Sequence, residues 1–472
     1  MSKDLRTITA SRVDPEAAKV VRRLVRYGYE AFLVGGCVRD LLLGETPKDF
    51  DVSTNATPTE IKKVFRNCRI IGRRFRLAHI YFGRKIIETS TFRAAPSEIE
   101  ERDGDGQIIW RDNVFGSAEE DAHRRDFTIN GLFFDLINGE VIDNVGGLDD
   151  LKAGSVRSIG DPLVRFQEDP VRILRAIKFA ARLDLTIEPV TWQAMIVHRG
   201  QVALCSTARV LEEVYRLVGS GSTCPAFELL HKAGVLPILF PELSAVLDSS
   251  EMKQSVEPLL AISPGRRKSE AERPASPVGK ADRRAGDNAD SASQNELGRQ
   301  EQGVVALLEL LELDDEENRL AAAASVWAHL AALDASVKQK KETPSHALLL
   351  GALVAPLLER VLGADNRLGW IVERVDAAVD ALSNRLQVSR KDKERLKQIL
   401  VAQRRLVYSR PRAQLASRDY FNDAFDLLVL RQAVAENPEH VEIIARWQEL
   451  SGGRSKRPKP RRRSGRKLPR KS

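Results

Sequence analysis

Residues 33–51 constrain the fold more than any other stretch of this chain. Their sequence is Leu-Val-Gly-Gly-Cys-Val-Arg-Asp-Leu-Leu-Leu-Gly-Glu-Thr-Pro-Lys-Asp-Phe-Asp. A short apolar strand ends at Gly35 and Gly36, a helical segment follows, and a second strand carries Asp49 and Asp51. Two glycines let the backbone approach a bulky anion, and the free N–H groups that open a helix favour phosphate. Because residues two apart on a strand face the same side, we expect both carboxylates to converge.

This combination predicts a site that moves nucleotidyl groups. Mg²⁺ prefers one or two protein carboxylates together with substrate phosphates, so Asp49 and Asp51 are the expected metal ligands. Gly35 and Gly36 are the expected contacts of the β- and γ-phosphates. Either half of the pattern alone is ambiguous, because a Gly-Gly turn or an Asp-x-Asp loop usually has no such role.

Arg39 and Asp40 lie between the two halves of this pattern. A guanidinium close to phosphates can donate two parallel hydrogen bonds, so Arg39 is predicted to contact the triphosphate. Asp40 is predicted either to orient Arg39 or to contact the ribose.

Two further motifs follow in the chain. Residues 124–132 are Arg-Arg-Asp-Phe-Thr-Ile-Asn-Gly-Leu, and residues 168–176 are Glu-Asp-Pro-Val-Arg-Ile-Leu-Arg-Ala. Together with residues 33–51, they make the chain resemble the polymerase-β-like nucleotidyltransferase superfamily, in the class II branch that holds bacterial tRNA nucleotidyltransferases and poly(A) polymerases. The resemblance extends over roughly residues 15–260 and is loose beyond them.

The resemblance and the apolar periodicity together predict the fold class. We expect an α+β nucleotidyltransferase head, a mixed sheet with helices on one side, followed by an all-α neck and body, with no strands after Pro170. Residues 263–302 have almost no large apolar side chains and cannot offset their ordering entropy. The predicted domains are a catalytic head at 1–150, a helical neck at 151–262, a disordered insertion at 263–302, a helical RNA-binding body at 303–450 and a disordered basic tail at 451–472.

Patterning also predicts individual elements. The expected strands of the head are Ala31–Val34, Asp49–Thr54, Ile80–Phe82, Lys85–Thr91 and Phe133–Leu136. The expected helices are residues 13–28, 57–65, 171–183, 208–219, 226–233, 303–312, 318–333, 346–362, 368–386, 391–407, 425–434 and 441–450.

The predicted reaction is an in-line displacement at phosphorus assisted by two Mg²⁺ ions. The resemblance implies that Glu88 is a third catalytic carboxylate beside Asp49 and Asp51. A glutamate on an apolar strand needs a partner, although Glu88 could instead be a strand-edge residue in solvent.

The resemblance implies that Arg124, Arg125 and Asp126 contact the triphosphate or the sugar. An Arg-Arg-Asp sequence could equally be a surface charge cluster. Asn130 in the same motif is interpreted as a local backbone cap.

The resemblance also identifies the helix from Pro170 as the one that reads the base. Asp169 and Arg172 are three residues apart, so we expect them on one face of its first turn. A carboxylate accepts from an exocyclic amine and a guanidinium donates to a ring nitrogen, a pattern that admits adenine and cytosine and rejects guanine and uracil. Arg175 is predicted to hold the triphosphate. The alternative is an acidic helix cap with salt bridges.

Residues 70–82 bear on which member of the branch the chain resembles. This segment resembles the one that marks bacterial poly(A) polymerases, and Arg73, Arg74 and Arg76 are predicted to face an RNA backbone. The three arginines could instead pair with acidic residues 98–105. Phe75, Leu77 and His79 lie on one side of the predicted strand and are assigned to the core. A CCA-adding or A-adding enzyme remains the alternative, as does a non-catalytic RNA-binding protein that retains the transferase fold.

The positive charge of the chain is concentrated at its C-terminal end. Residues 454–472 hold eleven Lys or Arg and no acid, so the net charge of +8 leaves about −3 for the remainder. Such blocks bind nucleic acid through phosphates, and Arg461, Arg462 and Arg463 are the predicted contacts. A solubilising tail or a contact with anionic lipid is the alternative.

Composition bounds the remaining expectations. The chain of 472 residues is 43% hydrophobic and 30% charged, and no apolar run is expected to span a bilayer. The four cysteines show no metal-binding spacing, and the N-terminus resembles no signal peptide, so we expect reduced thiols and a cytoplasmic location. The expected ligands are two Mg²⁺ ions and ATP as substrate. The expected partners are the 3′ ends of mRNA and other transcripts and RNA-decay proteins, with the enzyme a monomer.

Overall fold

The structure is a computed structural model, and it falls into two compact units, residues 1–239 and 240–472. Each unit is described by itself. The structure describes residues 3–72, 76–94, 101–102, 108–109, 115–247, 316–340, 343–363, 366–408, 410–435 and 437–452. The predicted insertion at 263–302, the predicted helix at 303–312 and residues 453–472 of the predicted tail lie outside these ranges.

The first unit begins with a sheet and ends in helices. Its strands are β1 Ala31–Val34, β2 Asp51–Thr54, β3 Cys68–Ile71, β4 Leu77–Phe82, β5 Lys85–Thr91, β6 Glu101–Arg102, β7 Ile108–Ile109, β8 Leu132–Asp135, β9 Glu140–Asp143, β10 Ser155–Val156 and β11 Thr186–Ile187. Its helices are α1 Pro15–Arg26, α2 Gly36–Leu42, α3 Pro58–Val64, α4 Ala118–His123, α5 Gly147–Ala153, α6 Pro162–Glu168, α7 Val171–Leu183, α8 Pro189–His198, α9 Thr207–Val218, α10 Thr223–Lys232 and α11 Leu236–Leu239.

Seven strands form the main sheet in the order β3-β4-β5-β2-β1-β8-β9. The pair β2–β5 is parallel and the other neighbours are antiparallel. The predicted mixed sheet is therefore confirmed. The edge strands β3 and β9 were not predicted, and β2 begins at Asp51, so the expected strand at Asp49–Thr54 is two residues too long.

Helices α1 and α3 cover one face of this sheet. Asp14 caps α1 by accepting from the backbone N–H groups of Glu16 and Ala17, and Thr57 and Glu60 form a capping box at α3. Helix α1 packs on β1, β2 and β5, and α3 packs on β3 and β4. The apolar spacing of α1 buries Ala17, Val20 and Leu24 beneath it.

The rest of the first unit is almost entirely helical. Helix α7 spans the residues that periodicity predicted and buries Ile173, Leu174 and Ile177. Strands β10 and β11 form a short parallel pair, which corrects the expectation that strands end before Pro170. The register of these two strands ties the start of the helical region to the segment after α7.

The second unit is helical throughout its described residues. Its helices are α12 Pro241–Leu247, α13 Glu316–Gln339, α14 His346–Leu362, α15 Leu368–Leu386, α16 Arg390–Tyr408, α17 Ala413–Ala416, α18 Phe421–Ala435 and α19 Pro438–Gly452. The α+β class followed by helices is confirmed. The domain boundaries remain predictions, and α19 runs two residues past the predicted start of the tail.

Helix α13 bears on the expectation that no apolar run spans a bilayer. Residues Glu317–Gln339 are long and apolar enough to cross a membrane by length and composition alone. Core helices of globular domains meet the same criterion, and α13 packs on α14 and α18 with Val326, Leu330 and Leu333 buried. The criterion is therefore weak evidence for a membrane span.

Candidate active site

The glycine turn ends β1 and opens α2. Gly35 has φ of +72°, and a Cβ there would lie 3.1 Å from Nη1 of Arg125. The positive φ favours glycine, and any side chain at this position would also crowd the guanidinium of Arg125. The turn is held in place because the N–H of Gly35 donates to the carbonyl of Leu132 at 3.0 Å. The predicted phosphate-binding turn therefore lies directly beside one of the predicted phosphate-binding arginines.

Two of the predicted carboxylates meet on the face of the sheet that lies opposite α1 and α3, called the open face below. The register pairs Val52 of β2 with Thr89 of β5, which places Asp51 level with Glu88. Burial raises the pKa of Asp51 to about 6, with further contributions from the charges of Glu88 and Asp49, while Arg125 opposes the rise. Solvent still reaches Asp51 through the cleft that it lines. Asp49 precedes the strand, so its proximity comes from the loop and not from strand alternation.

A cleft of about 280 Å³ brings the predicted acids and arginines together. Its polar lining consists of Asp51, Glu88, Ser90, Arg93, Arg124 and Arg125. The basic wall lies towards β8, because Arg125 lies over the ring of Phe133, and the acidic wall lies towards β5, which carries Glu88. This arrangement suits a polyphosphate held by the arginines whose reacting end faces the carboxylates.

Asp121, which was not predicted as a site residue, positions both arginines. Arg124 donates to Oδ1 of Asp121 at 2.5 Å, and Arg125 donates to Oδ2 at 2.9 Å. Burial would raise the pKa of Asp121, but the charges of Arg125 and Arg124 outweigh it and lower the pKa. The available signal was spacing, since Asp121 precedes the arginines by three and four residues on the end of α4.

Arg39 does not line the cleft, which corrects its predicted role. It is 2% exposed, and it donates to Oδ1 of Asp40 from Nε at 2.8 Å and from Nη2 at 2.7 Å. Its Nη1 donates to Asn130, and its guanidinium lies over the ring of Phe179. Asp40 orients Arg39, one of the two roles foreseen for it. Asn130 bonds side chains and is not a backbone cap.

Asp126 and Arg175 bind each other. Nε of Arg175 donates to Oδ2 of Asp126 at 2.8 Å, and Asn130 donates to Oδ1 at 3.1 Å. Nη1 of Arg175 also reaches Glu213 at 3.4 Å. The opposite charges outweigh burial and lower the pKa of Asp126. Neither side chain lines the cleft, so their contacts with the nucleotide remain predictions.

The predicted base-reading pair lies at the junction of α6 and α7. Asp169 lies just before Pro170, the N-cap of α7, and its carbonyl accepts from the backbone N–H of Arg172 at 3.1 Å, so the two residues are joined by one turn that leads into α7. Oδ2 of Asp169 accepts from Arg209 at 2.7 Å, whereas Oδ1 is buried without a hydrogen-bond partner. Arg172 donates to the carbonyl of Arg165 from Nη1 at 3.1 Å. A buried, unused acceptor next to an arginine suits a ligand that brings an amine.

Arg165 joins this pair to the cleft, and it too was missed. Its Nη2 donates to the carbonyl oxygens of Arg124 at 2.7 Å and of Arg125 at 2.8 Å. Its position at the end of α6 carries no sequence signal, because the partners are backbone carbonyls some forty residues earlier.

The predicted RNA contacts are largely outside the described residues. Arg76 is exposed just before β4, whereas Arg73, Arg74 and the tail residues 461–463 lie outside. His79, assigned to the core from sequence, lies on the open face of the sheet with its Nε2 3.5 Å from Oε1 of Glu88. The buried residues of β4 are its neighbours Ala78 and Ile80.

Asp51 and Glu88 offer carboxylate oxygens of the kind that Mg²⁺ prefers as ligands. Among the residues that the structure describes, no group of three His, Cys, Asp or Glu converges closely enough to hold a metal. Crowding of Asp51 by Glu88 and Asp49 is nonetheless the electrostatic setting that a cation relieves, and substrate phosphates can complete the coordination of Mg²⁺. Cys37 is no competing ligand, because burial raises the pKa of its thiol to about 12.

Two segments of the chain match known family models. Residues 31–157 match the family model of the poly A polymerase head domain, and residues 184–247 match one described as the probable RNA- and SrmB-binding site of polymerase A. The predicted resemblance to the poly(A) polymerase and CCA-adding branch is thereby confirmed for the N-terminal half of the chain.

Individual proteins from both groups of enzymes are similar in sequence to this chain. The chain is 47% identical over 243 residues to poly(A) polymerase I of Salmonella typhi, covering 50% of this chain and 52% of the relative. It is 45% identical over 261 residues to poly(A) polymerase I of Escherichia coli O157:H7, covering 54% and 56%. It is 33% identical over 254 residues to the CCA-adding enzyme of Oceanobacillus iheyensis, covering 52% and 61%. The chain thus matches about half the length of these relatives.

A solved structure supports the fold. The crystal structure of the Bacillus stearothermophilus CCA-adding enzyme in complex with CTP aligns with a TM-score of 0.56 at 21% identity, covering 93% of this chain and 83% of that one. At this identity the likeness concerns the fold alone.

Proposed function

We propose that this chain transfers AMP from ATP to the 3′-hydroxyl of RNA without a template. The observation that carries the proposal is the cleft in which Asp51 and Glu88 face Arg124 and Arg125. The 45–47% identity to poly(A) polymerase I supports adenylate as the nucleotide that is added.

The basic wall and the glycine turn bind the triphosphate in this proposal. Arg124 and Arg125 are held by Asp121 and, through their carbonyls, by Arg165, so they are oriented before the substrate arrives. Such preorganisation favours catalysis because little reorganisation is needed when charge develops at phosphorus. Gly35 lets the backbone approach the phosphates closely.

The junction of α6 and α7 selects the base. Oδ1 of Asp169 accepts from the exocyclic amine, and Arg172 donates to the adjacent ring nitrogen. Guanine and uracil present the opposite pattern and are rejected, because they would leave buried polar groups unpaired.

The transfer of AMP forms one bond to phosphorus and breaks one. The RNA 3′-oxygen forms a bond to the α-phosphorus, the bond from that phosphorus to the bridging oxygen breaks, pyrophosphate leaves with the electron pair, and the hydroxyl proton passes to solvent. Two Mg²⁺ ions held by Asp49 and Asp51, with Glu88 beside them, would neutralise charge on the attacking and leaving oxygens. Asp51 and Glu88, which line the cleft, would face the α-phosphate.

Addition of CCA or of a single A to tRNA is the second candidate. Two observations favour it. The Asp169 and Arg172 pair accepts cytosine as well as adenine, and relatives named CCA-adding enzyme and CC-adding tRNA nucleotidyltransferase are 33–35% identical.

The proposal extends to the setting of the enzyme. We place it in the cytoplasm as a monomer that acts on mRNA and other transcripts, with RNA-decay proteins as partners. The basic residues 454–472 would strengthen RNA binding through phosphates, so their removal should weaken binding and reduce its salt dependence.

Primer extension tests the proposal. A generic RNA and a tRNA lacking its CCA end are incubated with each single nucleotide and Mg²⁺. Long products from ATP on both primers are expected. One to three additions confined to the tRNA would favour the second candidate, and no extension of either primer would refute both.

A further inference from the structure

The open face of the main sheet carries a row of chemically distinct residues in register. Arg69 of β3 pairs with His79 of β4, and His79 pairs with Glu88 of β5. The parallel register of β5 and β2 continues the row to Asp51. A cation, an imidazole and two carboxylates therefore lie side by side across four strands.

The next row on the same face adds an aromatic ring. Tyr81 of β4 pairs with Ile86 of β5, which is 42% exposed. Side chains alternate along strands, so Tyr81 and His79 share a face whereas Ala78 and Ile80 are buried on the other face. That other face is the one covered by α1 and α3.

Contacts connect these residues into one stripe. The ring of His79 lies 6.4 Å from that of Tyr81, and the guanidinium of Arg69 lies 5.7 Å above the Tyr81 ring. His79 in turn approaches Glu88 at 3.5 Å. The stripe of Arg69, His79 and Tyr81 thus starts at a cleft carboxylate and runs outward over the sheet.

We propose that this stripe binds the 3′-terminal nucleotides of a single-stranded RNA acceptor. Aromatic rings stack on any base, and an arginine beside them neutralises the backbone phosphate, which is how proteins hold single strands without sequence preference. The triphosphate occupies the opposite, basic wall, so the stripe approaches the acids from the side left for the acceptor. The identification of the acceptor rests on the proposed function, whereas the binding of RNA by the stripe does not.

Equilibrium binding of a short RNA tests the stripe directly. The probe is a four-nucleotide RNA with a 5′-fluorophore and a 3′-deoxy end, which cannot be extended and is too short to reach far beyond the stripe. Anisotropy gives its Kd for the full chain. Loss of one stacked base should raise this Kd about 5- to 100-fold in Tyr81→Ala, while Tyr81→Phe retains the wild-type value.

The chain offers a matched control on the opposite side of the sheet. Tyr27 is 57% exposed, and the guanidinium of Arg23 lies 5.7 Å over its ring, so Tyr27→Ala removes a similar pair from outside the stripe. It should leave the Kd unchanged. In extension assays, Tyr81→Ala should raise the KM of a short primer and leave the KM of ATP unchanged.

The binding and extension assays distinguish failure of the proposed RNA site from failure of the proposed AMP transfer. Wild-type Kd values in both Tyr81→Ala and Arg69→Gln would overturn the stripe, even if the enzyme adds AMP normally. Weakened binding in a chain that adds no AMP would refute the proposed function and leave the stripe standing. If Tyr81→Ala fails to fold, Arg69→Gln decides, with the exposed Arg66→Gln of the α3 side as its control.

Discussion

Arg209 holds one oxygen of Asp169 and leaves the other buried and unpaired. The contact between Nη2 of Arg209 and Oδ2 of Asp169 spans 2.7 Å and links α9 to the junction of α6 and α7. Under the base selection proposed above, Arg209 therefore sets the direction in which the free oxygen of Asp169 faces the base. It acts through Asp169 and is a positioning residue.

Replacement of Arg209 should relax nucleotide choice. In Arg209→Ala the Asp169 carboxylate can rotate, so we expect the ratio of kcat/KM for ATP over GTP to fall about tenfold, as for loss of one charged hydrogen bond. Arg209→Lys should restore part of the ratio. Arg216→Ala, two turns further along α9, should not change the ratio, and an unchanged ratio in Arg209→Ala would remove Arg209 from base selection.

Asp51→Asn should inactivate the enzyme and stabilise the fold. The pKa of Asp51 is raised to about 6 in the folded chain, so its ionised form costs stability at neutral pH. That cost is absent below pH 3.8, the usual pKa of an aspartate. It grows as the pH rises towards 6 and is fully present above that value. Without divalent ions at pH 7.5, we expect a rise in Tm of roughly 1–3 °C.

The pH dependence is the control for this stability change. At pH 4 the wild-type Asp51 is largely protonated, so the Tm difference between wild type and Asp51→Asn should shrink towards zero. The exposed Asp149→Asn should show no gain at pH 7.5. A Tm of Asp51→Asn below that of wild type at pH 7.5 would contradict the crowding of acids in the cleft.

Mg²⁺ should couple to ATP binding through Asp51. A non-hydrolysable ATP analogue at about 100 times its Kd stabilises a protein by about 2.7 kcal/mol. We expect a rise in Tm that corresponds to this stabilisation for wild type with Mg²⁺, and a much smaller rise when a chelator replaces Mg²⁺. Asp51→Asn should gain little with or without Mg²⁺. An equal gain in chelator would argue against a metal shared between the acids and the phosphates.

Asp121→Ala should damage both the fold and the binding of ATP. Its side chain is fully buried between Arg124 and Arg125, and removal of one partner of a buried pair costs about 3–5 kcal/mol. We expect a lower Tm and a raised KM for ATP. Glu119→Ala, exposed on the same helix, should leave both unchanged. A normal KM in folded Asp121→Ala or Asp121→Asn would show that Asp121 does not position the arginines.

Local patterns explain why much of this site could be predicted. The glycine turn, Asp51 and α7 each depend on spacing within a few residues, which periodicity and turn chemistry report. The strands β1 and β5 and the helices α14 and α15 match their predicted bounds for the same reason. The turn at Gly35 could be predicted because glycine between a strand and a helix is typical of a backbone with positive φ.

Partners brought together by the fold explain the errors. Arg39 was predicted as a phosphate contact, but Asn130, ninety-one residues later, satisfies one of its donors and allows its burial. His79 was assigned to the core because it shares a side of the strand with Phe75 and Leu77, whereas the register of β4 with β5 places it beside Glu88. Neither pairing leaves a signal in spacing along the chain.

The proposed transfer of AMP from ATP to RNA is tested most directly by measuring RNA-dependent release of pyrophosphate. Single-stranded RNA, ATP and Mg²⁺ are supplied to wild type and to Asp51→Asn, and pyrophosphate is measured together with the lengthened RNA. We predict release by wild type only when RNA is present, one pyrophosphate for each AMP added, and none by Asp51→Asn. Release without RNA, or an unchanged rate in Asp51→Asn, would contradict the account.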